Sequence, residues 1–420
     1  MTTLPAFANT LPPNLAILEK EPADLKIIEK LVDYRWFDQA LKALINYPDT
    51  DEKALFLKAR CWMGLKSYKE ALELFHQLAE SSSSFEMRRE ALLKEAMIFV
   101  RLKKYEAALD IYNRLLEENR GKKRGIREIA KRAFKTALEA KKYDEGLLFL
   151  GHFSGDEARW WRGWCHFRKE EYDAALTYWD KISKRSDFYP QTLFWKSQIF
   201  KKIKNPEKSD SCFQTLLQEY PFHYYSFLAL FEKIPRKKDR LDLISTHWSG
   251  DRDKSKWMER YPRTFEIEVK KAAKKRDLDS YFVFAVIWQE SHFREWVVSP
   301  SGAIGLMQLM PQTALTLAHA IQLRHFDLVQ ILKPEMNIKL GSLYLSFLKK
   351  LFSGHLPLAV AAYNAGEEAV SRWLSLRKKD SLPLIIEEIP YDETQKYTKK
   401  VLLAHWIYHW LYRGDVPPVF

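Results

Sequence analysis

The sequence predicts an all-α protein that begins with an α-solenoid, a tetratricopeptide-like superhelix, and continues into a second helical domain. Three observations support this prediction. Glycine is scarce, at 14 of 420 residues, whereas the helix-favouring Leu, Ala, Lys and Glu are plentiful. A loose repeat of helix–turn–helix length runs through the N-terminal half. No segment reads clearly as a β-strand.

The repeat extends from about residue 25 to residue 230. In each unit, a helix rich in small and aromatic residues precedes an acidic helix that opens on Tyr or Phe. The predicted second helices open at Phe37, Tyr68, Tyr105, Tyr143 and Tyr172. Their spacings of 31, 37, 38 and 29 residues bracket the tetratricopeptide unit of about 34 residues. Because one unit cannot bury its own apolar face, the units are expected to stack as a solenoid.

A change of composition after the repeats predicts a connection between domains. Residues 233–240 are basic, and residues 249–255 are polar and typical of turns. We therefore expect a superhelical domain over 1–231, a connecting region over 232–261 and a second domain over 262–420. The alternative is an exposed loop inside one continuous domain.

The net charge is +13, from 68 Lys and Arg against 55 Asp and Glu. Such a charge favours anionic polymers, whether nucleic acid, acidic membrane or cell wall, and does not choose among them. The basic runs Lys122–Arg124 and Arg236–Lys238 lack interleaved aromatic residues on a recognisable module. We interpret them as solvated faces and expect no nucleic-acid partner.

Cysteine usage and hydropathy exclude other classes. Cys61, Cys165 and Cys212 show no CxxC spacing, so we expect core residues rather than disulfides or a zinc knuckle. No apolar run approaches about 18 residues, so we expect no transmembrane segment. Met1–Pro13 shows no basic region followed by an apolar one. Either an export signal is absent from the sequence shown, or the protein is cytoplasmic.

The residue most suggestive of chemistry is Glu290. It ends the apolar segment Leu278–Ser291, beside Trp288 and just before Phe293. Removal of water there would raise the pKa of the carboxyl and keep it protonated near neutral pH. A protonated carboxylic acid is the general acid that glycoside cleavage needs. Alternatively, Glu290 solvates the helix end or pairs with a Lys or Arg.

The surrounding motifs favour the catalytic interpretation. They are Gln289–Ser291, Ser299–Pro311, Pro334–Ile338 with Gly341, Tyr344 and Leu345, Ala362–Gly366, and Ile389–Thr394 with Tyr397. Their order and spacing resemble the catalytic domain of the soluble lytic transglycosylases, whose fold is that of goose-type lysozyme. The resemblance extends from Tyr261 to Phe420. The helical N-terminal part also resembles the α-superhelical half of those enzymes.

The resemblance implies a lysozyme-like α-helical catalytic domain with Glu290 as its single acid/base. It also implies substrate-binding residues, with Ser299, Gln308 and Met310 lining the sugar groove, Tyr363 and Asn364 facing the acid, and Glu393 and Tyr397 near the wall peptide and sugar. One departure is Glu367–Ala369, where the family usually has a Pro-Gly-type turn. Two added negative charges there are expected to affect substrate preference more than activity.

The expected chemistry needs one carboxyl group. The motifs offer no second acid close to Glu290, since Asp277 and Asp279 lie about three helical turns earlier. In the family, the 6-hydroxyl of N-acetylmuramic acid attacks its own C1, which cleaves the β-1,4 bond to N-acetylglucosamine and leaves a 1,6-anhydro product. No cofactor is implied.

Two other functions stay open from the sequence. The first is a peptidoglycan muramidase, a hydrolase that admits water to the same site. The second is an inactive wall-binding domain on a protein-binding solenoid. Under the favoured interpretation the substrate is the peptidoglycan glycan strand, and cell-wall synthesis or remodelling proteins are candidate partners of the solenoid. The expected location is then the periplasm, after export.

His405 and His409 lie four residues apart on a predicted helix, which is a spacing that zinc ligands use. The sequence has no HExxH motif and no third ligand near them, and Trp406 and Trp410 surround them. We therefore expect a structural role and no metal.

Overall fold

The computed structural model describes residues 24–119, 123–234 and 254–417. In these ranges every regular element is a helix, and the only β-type pairs are isolated bridges around Ile304. This confirms the all-α prediction. Across the same ranges, no helix combines the length and the apolar character that crossing a bilayer demands.

The described part of the repeat region contains six pairs of α-helices. They are α1 (Leu25–Asp33) with α2 (Phe37–Ala43), α3 (Glu52–Gly64) with α4 (Tyr68–Ser81), α5 (Phe85–Arg101) with α6 (Tyr105–Glu118), α7 (Lys123–Glu139) with α8 (Tyr143–Phe149), α9 (Gly155–Arg168) with α10 (Tyr172–Trp179), and α11 (Tyr189–Lys202) with α12 (Pro206–Glu219). The five predicted second helices begin at the predicted residues. The sixth second helix has no aromatic first residue. It begins at Pro206, and the side chain of Asn205 caps it.

The same turn joins the helices in all six pairs. Two residues before each second helix, one residue has a positive φ of 56° to 68°; these residues are Arg35, Lys66, Lys103, Lys141, Glu170 and Lys204. The next backbone N–H donates to a carbonyl five residues earlier, as Trp36 does to Leu31 and Lys104 to Phe99, each at 2.8 Å. This is the Schellman motif, in which a left-handed residue satisfies the last carbonyls of a helix. Here non-glycine residues adopt the left-handed conformation, at a cost of about 1–2 kcal/mol each.

Small residues let neighbouring helices approach closely, both within a pair and between successive pairs. A Cβ on Gly163 would lie 2.3 Å from the indole of Trp179, and one on Gly64 would lie 2.3 Å from the ring of Phe37. Trp179 instead stacks on Trp160, with ring centroids 5.1 Å apart. The three cysteines are buried, as predicted for core residues.

The described residues divide into two compact units. The first contains the residues up to Glu118 together with Phe293–Gly341. The second contains Asn119–His292 together with the residues from Ser342 onward. Within each unit, helices of the repeat region pack against their neighbours in sequence, as a solenoid requires.

Among the described residues, ten further α-helices follow the repeats. They are α13 (Tyr224–Lys233), α14 (Lys254–Arg260), α15 (Glu266–Arg276), α16 (Ser280–Ser291), α17 (Pro311–Ala320), α18 (Pro334–Leu351), α19 (Leu356–Ala365), α20 (Glu367–Ser375), α21 (Leu382–Glu387) and α22 (Asp392–Tyr412). Most of the expected connecting region, residues 235–253, lies outside the described residues, as do the basic run Arg236–Lys238 and Lys122. The division at 231 and 262 stays a prediction.

Candidate active site

Helix α16 carries Glu290 in its last turn. Asp279 caps the start of the helix, where its side chain accepts a 2.9 Å hydrogen bond from the backbone N–H of Tyr281. All six residues from Phe282 to Ile287 are buried, so the helix is enclosed on most sides, as its composition predicts. The helix ends at His292, which adopts a left-handed conformation. The buried helix α16 therefore holds the Glu290 carboxyl in a fixed position.

The Glu290 carboxyl lies in surroundings that keep it protonated. Burial, the largest influence, raises its pKa, and the negative charge of Glu393 raises it further. The hydroxyl of Tyr397 opposes both effects, because it donates a 2.6 Å hydrogen bond to Oε1 of Glu290 and so favours the ionised form. The resulting pKa is about 7. Near neutral pH this carboxyl can both donate and accept a proton.

Tyr363, from the last turn of α19, lies within electrostatic reach of Glu290. Burial raises the pKa of the Tyr363 hydroxyl well above 10.0, and the charge of Glu290 raises it further. The ring of Tyr363 contacts that of Tyr344, with centroids 5.4 Å apart. Tyr363 therefore stays a neutral phenol beside the acid.

Glu367–Ala369, the segment that departs from the family pattern, lies at the start of helix α20. Glu367 and Glu368 occupy the first turn of α20, where the positive end of the helix dipole favours acidic side chains. Glu367 also accepts a 3.0 Å hydrogen bond from the hydroxyl of Tyr344, the neighbour of Tyr363. At least one of the two added carboxylates, that of Glu367, is thus bonded to Tyr344, whose ring contacts Tyr363.

The remaining predicted residues of this unit lie at the end of α19 and the start of α22. Asn364 is exposed, and its Oδ1 accepts a 2.5 Å hydrogen bond from the hydroxyl of Thr394. Glu393, the preceding residue, is exposed, and Tyr397 is buried one turn later. These contacts join the ends of α19 and α22 around Glu290. Glu393 was expected only near the wall peptide and sugar, yet its charge also raises the pKa of Glu290.

Two lysines of α7 hold the first residue of α22. Lys131 Nζ lies 2.5 Å from one carboxylate oxygen of Asp392, and Lys135 Nζ lies 2.6 Å from the other. Burial opposes ionisation of Asp392, but the two lysines outweigh it, so its pKa is lowered. The start of the helix that carries Tyr397 is therefore fixed by charge from the repeat region.

A buried ion pair fixes the segment before α22. Arg377 Nε donates to Oε2 of Glu388 at 2.9 Å, and both side chains are fully buried. Arg377 also donates to the carbonyl oxygens of Leu138 and Glu139, at 2.7 Å and 3.0 Å, which lie at the end of α7. Glu388 accepts a further bond from the indole N–H of Trp164 at 3.1 Å.

The neighbouring Glu387 is bound in the same way. Its carboxylate accepts hydrogen bonds from Tyr225 at 2.6 Å, Trp195 at 3.3 Å and Lys399 at 3.0 Å. Trp195 and Tyr225 belong to the expected superhelical domain, and Lys399 lies on α22. Sequence reasoning missed these two acids, because their aromatic partners Trp164, Trp195 and Tyr225 lie more than a hundred residues away in the chain.

The other predicted site residues lie in the first unit. Gln308 has a positive φ of 45°, and its amide nitrogen donates to the carbonyl oxygens of Val297 and Gly305, each at 2.9 Å. Ser299 accepts a 2.9 Å bond from the backbone N–H of Ala303. Both side chains thus shape the loop between α16 and α17. Met310, half-buried, caps α17 with its backbone.

Asn337, buried on α18, organises that loop from beneath. Its Nδ2 donates to the carbonyl oxygens of Ile304 and Ile331, each at 2.9 Å, and its Oδ1 accepts from the N–H of Met307 at 2.8 Å. A Cβ on Gly305 would lie 2.3 Å from this amide, so the loop needs glycine there. The motif Pro334–Ile338 contained Asn337, but sequence reasoning assigned it no role.

The structure therefore brings Glu290, Tyr363 and Tyr397 into one group, with Asn364 and Glu393 at the adjoining helix ends. One group of described side chains could hold a metal ion, namely Asp279, His405 and His409. Asp279 caps the opposite end of α16 from Glu290, about 16 Å away along the helix.

Comparison with known families agrees with this architecture. A model of the transglycosylase SLT domain matches residues 268–383. The tetratricopeptide repeat model matches residues 67–122 and 123–190, which confirms the prediction of a tetratricopeptide-like region. The chain therefore carries tetratricopeptide repeats followed by a transglycosylase SLT domain.

Among curated proteins, the chain is similar to the soluble lytic murein transglycosylase of Escherichia coli K12. The two are 35% identical over 162 residues, which is 38% of this chain and 25% of the relative. A putative soluble lytic murein transglycosylase of Haemophilus influenzae is 32% identical over 162 residues, which is 38% of this chain and 27% of that relative. The chain thus matches about a quarter of the length of these relatives.

Among solved structures, the chain resembles the 70 kDa soluble lytic transglycosylase of Escherichia coli. The TM-score is 0.50 at 16% identity, over 99% of this chain and 88% of that one. At this identity the likeness concerns the fold alone, and it agrees with the expected superhelix and lysozyme-like domain.

Proposed function

We propose that this chain is a lytic transglycosylase that cleaves the β-1,4 bond between N-acetylmuramic acid and N-acetylglucosamine in peptidoglycan. The observation that carries the proposal is the state of Glu290. Its carboxyl ends a buried helix, has a pKa of about 7 and bonds to Tyr397, within a chain that carries a transglycosylase SLT domain.

Glu290 acts first as an acid and then as a base. Its proton passes to the glycosidic oxygen as the bond from that oxygen to C1 of the muramic acid breaks. The 6-hydroxyl of the same muramic acid then bonds to C1 and returns its proton to Glu290. The products are a free 4-hydroxyl and a 1,6-anhydro ring, and no water is consumed. A pKa near 7 suits a group that must perform both steps.

Tyr397 and Tyr363 support this role from two sides. Tyr397 donates to the carboxylate that forms after the first step, which stabilises the charged intermediate state of the enzyme. Tyr363 presents a neutral phenol beside the acid, suited to contact a sugar ring. Asn364 and Glu393 are assigned to substrate contacts because their side chains are exposed beside these residues. The sugar-binding roles of Ser299, Gln308 and Met310 stay predictions from the resemblance.

A muramidase is the second candidate, and Glu393 is the observation that favours it. Its charge acts on Glu290, so a second carboxylate is present in the region. Inverting glycosidases use a second carboxylate to activate water. The two candidates share Glu290 as acid and differ in the product.

The direct test of the site is digestion of purified cell-wall sacculi by Glu290→Gln. The amide keeps the shape of the side chain but cannot donate the proton, so the rate is expected to fall at least about 10²–10⁴-fold. Glu259→Gln, on the exposed helix α14, is the matched control and should digest at the wild-type rate. A folded Glu290→Gln protein that clears sacculi like the wild type would refute the assignment.

A peptidoglycan substrate also requires the protein to reach the cell wall. The proposal therefore includes export and a periplasmic location. Cell-wall synthesis or remodelling proteins are the candidate partners of the solenoid.

A further inference from the structure

Three potential metal ligands converge where α16 begins and α22 approaches its end. Nε2 of His405 lies 2.7 Å from Oδ2 of Asp279, and Nε2 of His409 lies 2.5 Å from the same oxygen. All three ligand atoms lie within 4.8 Å of one another. The third ligand, which the sequence does not place near the histidines, thus comes from a residue more than a hundred positions earlier.

A carboxylate stands behind one of the two histidines. Nδ1 of His409 lies 2.7 Å from Oδ1 of Asp415, which is itself buried. Histidines that bind metals typically donate their second ring N–H to such a carboxylate, which fixes the ring and directs the other nitrogen at the metal. Nδ1 of His405 has no hydrogen-bond partner among the described residues. A second carboxylate, that of Asp415, therefore orients His409 but not His405.

The two histidines of the site are buried, whereas Asp279 is partly open to solvent. Both histidines are almost fully buried, whereas the side chain of Asp279 is 33% exposed. The rings of Tyr281 and Phe282 contact His409 and His405, with centroids 4.9 Å and 5.8 Å apart. A small ion can thus enter past Asp279, while the aromatic rings restrict the histidines.

We propose that Asp279, His405 and His409 form a binding site for one divalent transition-metal ion, of which zinc fits the ligands best. Two imidazole nitrogens and one carboxylate oxygen are ligands that zinc accepts, with water in the fourth position. Binding would replace the two hydrogen bonds to Asp279 by metal–ligand bonds. In tetrahedral geometry the ligand atoms would separate to roughly 3.3 Å, which is a small movement from the present 2.5 Å and 2.7 Å.

The ion would join the two helices that carry the catalytic group. Asp279 caps α16, whose other end holds Glu290, and the histidines lie on α22, which also holds Tyr397. The metal therefore fixes the pairing of α16 and α22 at a distance from the reacting atoms. Its role is structural, and the inference stands independently of the proposed function.

Titration of the full-length protein, without an affinity tag and after treatment with a chelator, tests the site. Isothermal calorimetry with Zn²⁺ should give one equivalent bound, and saturation should raise the melting temperature by several degrees. Co²⁺ bound in place of zinc should give the visible absorption of a four-coordinate nitrogen and oxygen site. The absence of a one-to-one zinc isotherm would overturn the proposal.

Variants separate a metal site from a hydrogen-bonded ion pair. Asp279→Asn keeps an oxygen that can cap α16 but removes the carboxylate, and it should abolish the one-to-one binding. Asp415→Asn should weaken binding about 10–100-fold, since it removes only the outer support. His152→Gln, an exposed histidine elsewhere, is the control and should bind zinc like the wild type.

Two outcomes would contradict the assignment. If Asp279→Asn and His409→Gln bind zinc as the wild type does, the ion lies elsewhere. If these variants lower the melting temperature by the same amount with and without zinc, Asp279 and the two histidines stabilise the fold through their mutual hydrogen bonds and bind no metal. Melting curves recorded without metal show whether each variant is folded.

Discussion

The hydroxyl of Tyr397 donates a 2.6 Å hydrogen bond to Oε1 of Glu290, across 107 positions of sequence. The bond favours the ionised carboxyl, whereas burial and the charge of Glu393 favour the protonated one. The balance sets the pKa of Glu290 at about 7. Changes to these neighbours should therefore move the pH dependence of the reaction in opposite directions.

Tyr397→Phe should move the alkaline limb of the pH profile to higher pH. The variant loses the donor that stabilises the carboxylate, so the pKa of Glu290 rises. Because the acid must be protonated to act, activity falls as pH rises through this pKa, and the fall should come later. The measurement is kcat/KM on soluble muropeptides against pH. A limb that stays in place or moves down would show that Tyr397 does not tune Glu290.

Glu393→Gln should move the same limb to lower pH. Removal of its negative charge removes an influence that raises the pKa of Glu290. The same kcat/KM profile measures the shift, and Glu259→Gln should leave the limb unmoved. An upward shift in Glu393→Gln would contradict the electrostatic account. A loss of activity at every pH would indicate that Glu393 also contacts the substrate.

Glu290→Gln should stabilise the fold above neutral pH. Folding raises the pKa of Glu290 from 4.5 to about 7, so between these values the folded state holds a proton that the unfolded state releases. Stability is therefore lost as pH rises through this window, by up to about 3 kcal/mol. The neutral amide escapes this loss. Melting temperatures at about pH 4 and about pH 8 should show a gain for the variant only at the higher pH. A similar gain for Glu259→Gln would mean that the effect is not specific.

Arg377→Met should destabilise the second unit strongly. It removes the guanidinium that bonds to Oε2 of Glu388 and leaves the buried carboxylate with the guanidinium of Arg168, 3.4 Å from Oε1; breaking a buried pair typically costs about 3–5 kcal/mol. Urea unfolding measures the loss. Lys53→Met removes an exposed pair with Glu29 and should change stability by less than about 1 kcal/mol. Equal small effects of the two variants would show that the buried network contributes little.

The repeat helices were predictable because each start has a local signature. Tyr or Phe opens five second helices, and the structure begins them at those residues. The pair ending in α12 escaped this pattern, since Asn205 and Pro206 start that helix by capping and a fixed φ. The left-handed residues such as Lys103 also gave no signal, because lysine seldom adopts that conformation.

The candidate site was predictable in its residues but not in its supports. Glu290, Tyr363 and Tyr397 follow from short motifs, and the structure groups them. Pairs that are distant in sequence, such as Arg377 with Leu138 or His405 with Asp279, depend on tertiary packing. Neither the periodicity nor the spacing of residues indicates such contacts. The sequence therefore could not predict the contact of α22 with α7 or the third ligand of the proposed metal site.

The mass of the products released from purified sacculi by the wild-type protein tests the central claim most directly. Transfer to the 6-hydroxyl leaves muropeptides that end in 1,6-anhydro-muramic acid, each lighter by one water than the hydrolysis product. The account predicts these anhydro products, and predicts their loss with Glu290→Gln. Muropeptides that end mainly in reducing muramic acid would contradict it and identify a muramidase in which water reaches the site.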